Sequence, residues 1–245
     1  MSNKLFTTEG LILKTTDYKE NAKLVTLFTP GHGKISAIAK GVNKKNSKMR
    51  SFIQIFVYGD FQVYAGKNLY TITQGKVHNY FPGIRDDLES MYRGIYILEI
   101  LEKITVEEES YDLFFLALSS LYLLNSLKDN RVVLLFFQIK ILENLGITPY
   151  LDSCINGHHI SDKLGFDLVE GGILCEICMS RIDRVYKIQR GSYKILEFLQ
   201  KATLEDLKKL KLSSSQCNEI WKLLNDFLES QTGINLKSKS FLTSI

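Results

Sequence analysis

Apolar and polar positions alternate with a period close to two over the first 80 residues, which predicts β-strands. Short runs of this kind lie at 11–14, 24–28, 35–39, 52–58, 61–65 and 69–73. Turn residues such as Pro30-Gly31 and Gly59-Asp60 separate the runs, and no helix long enough for a parallel crossover occurs between them. The pattern therefore predicts a small antiparallel barrel of the five-stranded OB type over residues 1–80.

The period changes after Pro82-Gly83, where apolar residues recur at three- and four-residue steps typical of helices. Three helices are predicted at about 88–101, 110–127 and 129–145, and we expect them to form the core of a helical domain spanning 81–245. Further helices are predicted after Ser192, from Thr203 with Asp206 in capping-box spacing, and up to Gly233.

A segment at about 150–184 interrupts the helical pattern and contains three of the four cysteines. Cys154 with either His158 or His159 forms one candidate ligand pair, and Cys175 with Cys178 forms the other. Two such pairs separated by a glycine-bearing hairpin are typical of a structural zinc site, because tetrahedral Zn²⁺ takes four thiolate or imidazole donors. We predict one structural Zn²⁺, held by the three cysteines and by His158 ahead of His159.

The predicted fold class is thus α+β. An N-terminal OB-type barrel at 1–80 is followed by a helical domain at 81–245, which carries a small zinc-ribbon-like insertion at about 150–184.

Charge is distributed unevenly between these two parts. Residues 1–80 contain 12 Lys and Arg against 4 Asp and Glu, whereas residues 81–245 contain 19 against 23, which together give the net charge of +4. Such a separation indicates that the first part binds a polyanion.

One loop concentrates the positive charge. A strand-like run that starts near Lys34 leads into this loop. Positions 40 to 50 then contain five cations and no carboxylate: Lys40, Lys44, Lys45, Lys48 and Arg50. A run of charge is often only a solvated turn. On a barrel rich in aromatic residues, however, such a loop favours single-stranded nucleic acid, because cations contact phosphates while rings stack on bases. These five cations and Lys34 are the predicted DNA-binding residues.

Aromatic residues follow the basic loop: Phe52, Phe56, Tyr58, Phe61, Tyr64 and Tyr70. Most of them are expected in the core. Alternation would place Phe52, Phe56 and Tyr58 on one face, which leaves one or two rings for stacking.

Motifs for several kinds of chemistry are absent. The sequence has neither a phosphate-binding G-x-x-x-x-G-K-[ST] loop nor a G-x-S-x-G nucleophile elbow. A zinc deaminase would need a Glu two residues after the ligand His, where Ile160 and Ser161 follow His159. We therefore predict a protein that is not an enzyme. No run reaches the roughly 20 apolar residues of a membrane span and no secretory signal occurs, so we expect a cytoplasmic protein without membrane contact.

Several motifs together resemble those of the bacterial recombination mediator RecO. They are the Y-x-E element at Tyr18, the L-x-T-P-x-x-G-K turn from Leu27 to Lys34, the K-G-x-basic loop from Lys40, the LCEIC segment and the closing GINLKSKSFL. The resemblance implies an OB domain, a helical domain and, in many members, a zinc module. One departure is visible: the family usually has a first C-x-x-C, whereas this chain has Gly157, so a histidine must substitute or the site is incomplete.

The function that the resemblance implies is DNA repair by recombination. Members bind single- and double-stranded DNA, anneal complementary strands, and work with RecR to help RecA displace the single-stranded-DNA-binding protein SSB. The resemblance also implies that the helical domain receives the acidic, apolar-ended C-terminal tail of SSB. Candidate contacts for that tail are four lysines beside apolar Leu204, Leu207 and Leu210: Lys201, Lys208, Lys209 and Lys211.

Two other classes of function remain open from the residues alone. The chain could be a protein-interaction adaptor whose basic barrel contacts an acidic partner, or an OB protein that binds RNA, since nothing in the sequence reads a 2′-hydroxyl group.

Overall fold

The computed structural model of the chain describes residues 5–67, 69–160, 162–182 and 185–242. The chain folds into two compact units, Met1–Ser126 and Leu127–Ile245. No helix in the described ranges combines the length and the hydropathy that crossing a membrane requires.

The first unit contains a closed five-stranded barrel with the strand order β1-β2-β3-β5-β4. Its strands are β1 (Leu5–Tyr18), β2 (Ala22–Thr29), β3 (Gly33–Lys40), β4 (Tyr58–Tyr64) and β5 (Tyr70–Asn79). Strand β1 closes the barrel because its first half pairs with β4 and its second half with β2. All neighbours are antiparallel except β3 and β5, which pair in parallel. The predicted OB-type barrel is confirmed, with this one parallel pair as a correction.

Alternation along the strands explains the barrel core. The inward positions of β2 and β3 are Val25, Leu27, Ile35, Ala37 and Ala39, and all of them are buried. Their outward neighbours are partly or fully exposed for most of the strand length, as period-two side-chain geometry requires.

The predicted strand at 52–58 is wrong. Lys48–Ser51 forms one turn of 3-10 helix, and Phe52 and Ile53 then enter the barrel core. Phe56 has a positive φ of 66° and packs beside Gly94, outside the core cluster that contains Phe52, so the predicted shared face of these two rings is also wrong. A short connection that is buried on nearly all sides shows the same apolar run as a buried strand, which explains the error.

Three helices of the first unit follow the barrel: α1 (Pro82–Asp86), α2 (Leu88–Ile104) and α3 (Tyr111–Ser126). Asp87 caps α2, since its Oδ2 accepts a hydrogen bond from the Ser90 backbone N–H at 2.8 Å. Phe28 on β2 packs against Phe114 on α3 with ring centroids 5.3 Å apart. The barrel and these helices therefore share buried surface.

The second unit contains α4 (Arg131–Asn144), α6 (Arg190–Lys201) and α7 (Ser214–Thr232), and α4 contacts both of the others. The helices predicted at 88–101 and 110–127 thus pack in a different unit from the one predicted at 129–145, because periodicity shows a helix but not what its apolar face meets. The domain boundary at residue 80 stays a prediction. The helix predicted from Thr203 is only a 3-10 turn, Asp206–Lys209, in which Asp206 accepts hydrogen bonds from the N–H and hydroxyl of Thr203.

A small module interrupts the second unit between α4 and α6. Its three-stranded sheet has the order β7-β6-β8, built from β6 (Leu164–Asp167), β7 (Gly172–Cys175) and β8 (Tyr186–Ile188). A one-turn helix, α5 (Glu176–Met179), follows β7 directly. The barrel, the helices and this module together confirm the predicted α+β fold class.

Candidate metal centre and nucleic-acid interface

Four side chains of the small module meet as a cluster of metal-ligating donors. One ligand atom each of Cys154, His158, Cys175 and Cys178 lies within 4.8 Å of all the others. The Cys154 and Cys178 sulfurs are 3.7 Å apart, and His158 Nδ1 lies 3.1 Å from Cys178 Sγ and 3.7 Å from Cys175 Sγ. This arrangement can hold a single metal ion.

Local backbone structure positions the two halves of the cluster. Cys175 ends strand β7 and Cys178 lies in the first turn of α5, so the short Cys-x-x-Cys spacing turns both sulfurs to one side. In the other half, the chain turns back after Cys154, whose carbonyl accepts a hydrogen bond from the Gly157 N–H at 2.8 Å. Gly157 has a positive φ of 76°, a conformation that favours glycine and delivers His158 to the sulfurs.

Burial and hydrogen bonding act in opposite directions on the Cys154 thiol. Burial of the Cys154 thiol raises its pKa, but hydrogen bonds from the Cys175 and Asn156 backbone and contacts with Cys178 and His158 lower that pKa to about 6. The Asn156 side-chain N–H donates to Cys178 Sγ at 3.2 Å. The site thus favours a thiolate at Cys154, which is the form that binds metal.

His159, the alternative fourth ligand, is outside the four-donor cluster. It lines an open pocket beside it, together with His158 and residues of α5. The structure brings together the four residues predicted as ligands, and it places His158 rather than His159 among the sulfurs.

The basic loop follows β3 and lies on the surface of the barrel. All five of its cations are exposed: Lys40, Lys44, Lys45, Lys48 and Arg50. Gly41, with a positive φ of 79°, starts the loop and donates its N–H to Asn21 O at 2.5 Å, which ties the loop to the β1–β2 turn. Among the described residues none of the five cations forms an ion pair, so their charge faces solvent.

Arg50 differs from the lysines because its guanidinium also braces the loop. Its Nη2 donates to Asn43 O at 3.3 Å and to Lys44 O at 3.2 Å. These bonds use part of its donor capacity and hold the backbone that carries Lys44.

Lys34 lies at the opposite end of β3 from Lys40, about 20 Å away at about 3.3 Å per residue. Its Nζ donates to the backbone oxygen of Glu102 on α2 at 2.7 Å. Lys34 is therefore distant from the other five predicted DNA-binding residues, and its ammonium group is already hydrogen-bonded within the protein.

One exposed ring beside the loop was missed by the sequence analysis. Tyr18 pairs with Ala22, which pairs with Lys40, so the three residues form one row across β1, β2 and β3. The Tyr18 ring is 37% exposed, with Lys19 Nζ 5.3 Å from its centroid. The adjacent Tyr18 and Lys19 were the available signal in the sequence, but the register that places Tyr18 beside Lys40 is a long-range property.

The aromatic residues after the loop are mostly core. Phe52, Phe56 and Phe61 are buried, and Tyr70 packs against the barrel core. Among the six aromatic residues predicted there, Tyr64 has an exposed ring, at 41%.

Comparisons with known proteins identify the relatives of this chain. Residues 1–81 match the family model described as "Recombination protein O N terminal", and residues 85–240 match "Recombination protein O C terminal". A "DNA repair protein RecO" from Bacillus pumilus (strain SAFR-032) is 31% identical over 242 residues, which cover 98% of this chain and 94% of that protein. Proteins of the same name from Halalkalibacterium halodurans and Bacillus cereus (strain AH187) are 29% and 30% identical, over 97% of this chain and 94% and 96% of their own lengths.

Proposed function

This chain belongs to the RecO family of DNA repair proteins, and we propose that within this family it acts without catalysis, as a DNA-binding mediator of recombination. The observation that carries the proposal is the exposed basic loop without carboxylates on an OB-type barrel. OB barrels use the face of their second and third strands, together with neighbouring loops, to bind oligonucleotides. The basic loop lies at the end of that face.

In the proposed binding mode, the loop contacts the phosphate backbone and Tyr18 offers a stacking surface. Phosphate contacts do not depend on base sequence, so they serve single and double strands alike. The ring of Tyr18 lies in one row with Lys40 and could stack only on an unpaired base. A surface that holds two single strands through their backbones leaves their bases free to pair, which supports strand annealing.

The metal centre supports a structural role and not a catalytic one. The four donors of the chain would fill every position around a tetrahedral metal ion, whereas catalytic zinc sites keep one position for water or substrate. The three sulfurs are buried, as in a structural site.

Zinc is the metal that we propose for this site. Zinc–sulfur bonds of about 2.3 Å and zinc–nitrogen bonds of about 2.0 Å set the edges of a tetrahedron at about 3.8 Å between sulfurs and about 3.5 Å between sulfur and nitrogen. The corresponding distances here are 3.7 Å between the Cys154 and Cys178 sulfurs, and 3.1 and 3.7 Å from His158 Nδ1 to sulfur. Bound zinc would crosslink the turn at Cys154 to α5. Elemental analysis of protein purified without chelator should find close to one zinc per chain, and a fully folded protein free of metal would contradict this.

The partners that we propose are RecR, the C-terminal tail of SSB and, indirectly, RecA. For the tail, the structure changes the set of candidate contacts. Lys201 lies 3.7 Å from Asp152 and Lys208 2.9 Å from Glu205, so both are already paired. Lys209 and Lys211 are exposed and take part in none of the ion pairs of the described residues, which makes them the better candidates.

A calorimetric titration of the full chain with an acidic, apolar-ended peptide tests the proposed tail site. Replacing Lys209 and Lys211 by Glu should abolish binding, and the same change at exposed Lys128 should not. Equal affinity for all three proteins would place the tail elsewhere.

The proposal as a whole is tested by binding assays with single-stranded DNA, duplex DNA and RNA of matched sequence. We expect both forms of DNA to bind, more weakly as salt rises. Absence of binding to any nucleic acid would favour the adaptor hypothesis for the basic loop, and a strong preference for RNA would favour the RNA-binding hypothesis.

A further inference from the structure

Helix α3 carries a row of aromatic side chains that remain exposed. Tyr111, Phe115 and Tyr122 are 61%, 66% and 42% exposed, and their spacing along the helix places them on one side. Single exposed apolar residues are common on protein surfaces, whereas a contiguous row is typical of an interaction site.

The row borders a groove of about 530 Å³ within the first unit, between α3 and the barrel. Phe114 and Tyr58 lie at its base, with ring centroids 6.4 Å apart. Phe114 is 4% exposed and Tyr58 makes an edge contact with Tyr122, whose centroid is 6.5 Å away. The groove is thus formed by packed rings before any partner binds, which limits the ordering that binding requires.

Carboxylates give the groove its charge. Glu9 on β1 and Asp112 on α3 line it. From Thr105 to Ser126 the chain has four acidic residues and no Lys or Arg. Glu9 accepts a hydrogen bond from the Tyr58 hydroxyl, and neither Glu9 nor Asp112 takes part in the ion pairs of the described residues.

We propose that this groove binds a protein partner through a segment that combines Lys or Arg with apolar side chains. An Arg or Lys head over the rings of Tyr111 and Phe115 would gain both cation–π attraction and the nearby charge of Asp112. Apolar side chains of the same segment would cover Leu118 and the ring base. The carboxylates repel phosphates and acidic peptides, so the groove is distinct in chemistry from the basic loop and requires a partner of opposite charge.

A selection of random peptides displayed on phage, made on the full chain, tests this inference. The groove variant is Asp112→Asn with Phe115→Ser, and the matched control is Asp86→Asn with Leu88→Ser, which also removes one exposed carboxylate and one exposed apolar side chain. Peptides enriched on the wild-type chain and the control, but not on the groove variant, should contain Lys or Arg next to apolar residues. In calorimetry they should bind the groove variant about tenfold or more weakly, and rising salt should weaken their binding to the wild type.

Each other outcome overturns the inference. Enrichment of acidic peptides, or no peptide that distinguishes the groove variant, excludes a basic partner segment. Self-association in sedimentation that the groove variant loses would show that a second copy of the chain covers the groove. Loss of DNA affinity in the groove variant would assign the rings to nucleic acid. The DNA affinity and metal content of the variant should otherwise be unchanged, so failure here is distinguishable from failure of the proposed function.

Discussion

At the scale of single residues, one histidine decides whether the metal cluster has four donors. The left-handed backbone of Gly157 brings His158 Nδ1 to 3.1 Å from Cys178 Sγ. Its neighbour His159 faces the adjoining pocket. Two adjacent residues of the same type thus have different environments, which provides a matched pair of variants.

We expect His158→Ala to lose most bound metal and His159→Ala to retain it. Three thiolates without the imidazole leave a coordination position open, which lowers affinity and allows the metal to be removed by a chelator. Elemental analysis of both variants, after dialysis against the same chelator, measures the effect. Equal metal loss from both variants, or loss from His159→Ala alone, would contradict the assignment of His158 as the fourth ligand.

Lys34 and Lys40 form a second matched pair, at the two ends of β3. Because the Lys34 ammonium donates to Glu102 O, Lys34→Ala should lower the free energy of unfolding by about 1–2 kcal/mol. Lys40→Ala removes an exposed side chain and should change it by less than about 0.5 kcal/mol. Urea unfolding measures both. For DNA affinity we expect the opposite ranking: Lys40→Ala should weaken binding more than Lys34→Ala does.

The ligand residues could be predicted from the sequence because the Cys-x-x-Cys spacing is itself the local geometry of the site. The choice between His158 and His159 could not, since it depends on how the turn at Gly157 folds against α5. The environment of Lys34 also could not be predicted, because its partner is a backbone oxygen 68 residues further along the chain. Spacing predicts contacts within a turn and not contacts between elements.

At the scale of elements, helix α2 shows how local and distant signals differ. Its start was predictable, because Asp87 and the acidic residues beside it form a recognisable first turn. Its packing was not, because Phe56, in a stretch predicted as a strand, faces Gly94 in the middle of the helix. The predicted strand failed for the same reason: an apolar run shows burial but not the backbone conformation that burial requires.

We expect Asp87→Ala to lower the free energy of unfolding by about 1 kcal/mol at neutral pH, the usual effect of losing an N-cap. Hydrogen bonds from the Ser90 side chain and N–H hold the pKa of Asp87 below its usual value. The unfolded chain therefore takes up this proton first as pH falls, so the stabilisation is present above the ordinary carboxyl pKa and is lost as pH falls through the lower folded pKa. Urea unfolding of both proteins between neutral and acidic pH should show the difference narrowing; a difference independent of pH would contradict the capping role.

We expect Gly94→Ala to destabilise the first unit although alanine favours helices. A Cβ on Gly94 would lie 2.8 Å from Phe56 Cε1 and 3.1 Å from Ile84 Cγ2. Overpacking of this kind costs about 1–3 kcal/mol, against a gain in helix propensity of about 1 kcal/mol. A double-mutant cycle with Phe56→Leu should recover part of the loss, because the smaller side chain makes room. Additive effects would show that the two residues are not in contact.

At the scale of the whole molecule, the basic loop, the acidic groove and the metal centre lie in different parts of the fold and differ in charge. The first 80 residues have 12 cations against 4 carboxylates, and their exposed charge is concentrated in one loop of the barrel. The acidic groove on α3 belongs to the same compact unit, but its charge is opposite to that of the loop. The metal centre belongs to the other unit. A single chain thus presents surfaces of distinct chemistry, which is consistent with the proposed role as a mediator that binds both DNA and proteins.

The central claim is that the basic loop binds DNA through phosphate contacts. Its direct test is the salt dependence of binding to single-stranded DNA, measured for the wild type and for a variant with all five loop cations replaced by Ala. Each phosphate contact contributes about 0.7 to the slope of log affinity against log salt, so the variant should lose roughly 3.5 from that slope. The control replaces five exposed lysines of the second unit by Ala, with the same change in net charge: Lys128, Lys187, Lys194, Lys208 and Lys211.

In this measurement we expect the loop variant to bind more weakly, most of all at low salt, with a flattened salt dependence and a melting temperature that changes little. The control should keep a slope close to that of the wild type. The loss should be nearly the same for every DNA sequence, because the contacts are to the backbone. A loop variant that keeps the wild-type slope, while the control loses it, would contradict the account and place the DNA on the second unit.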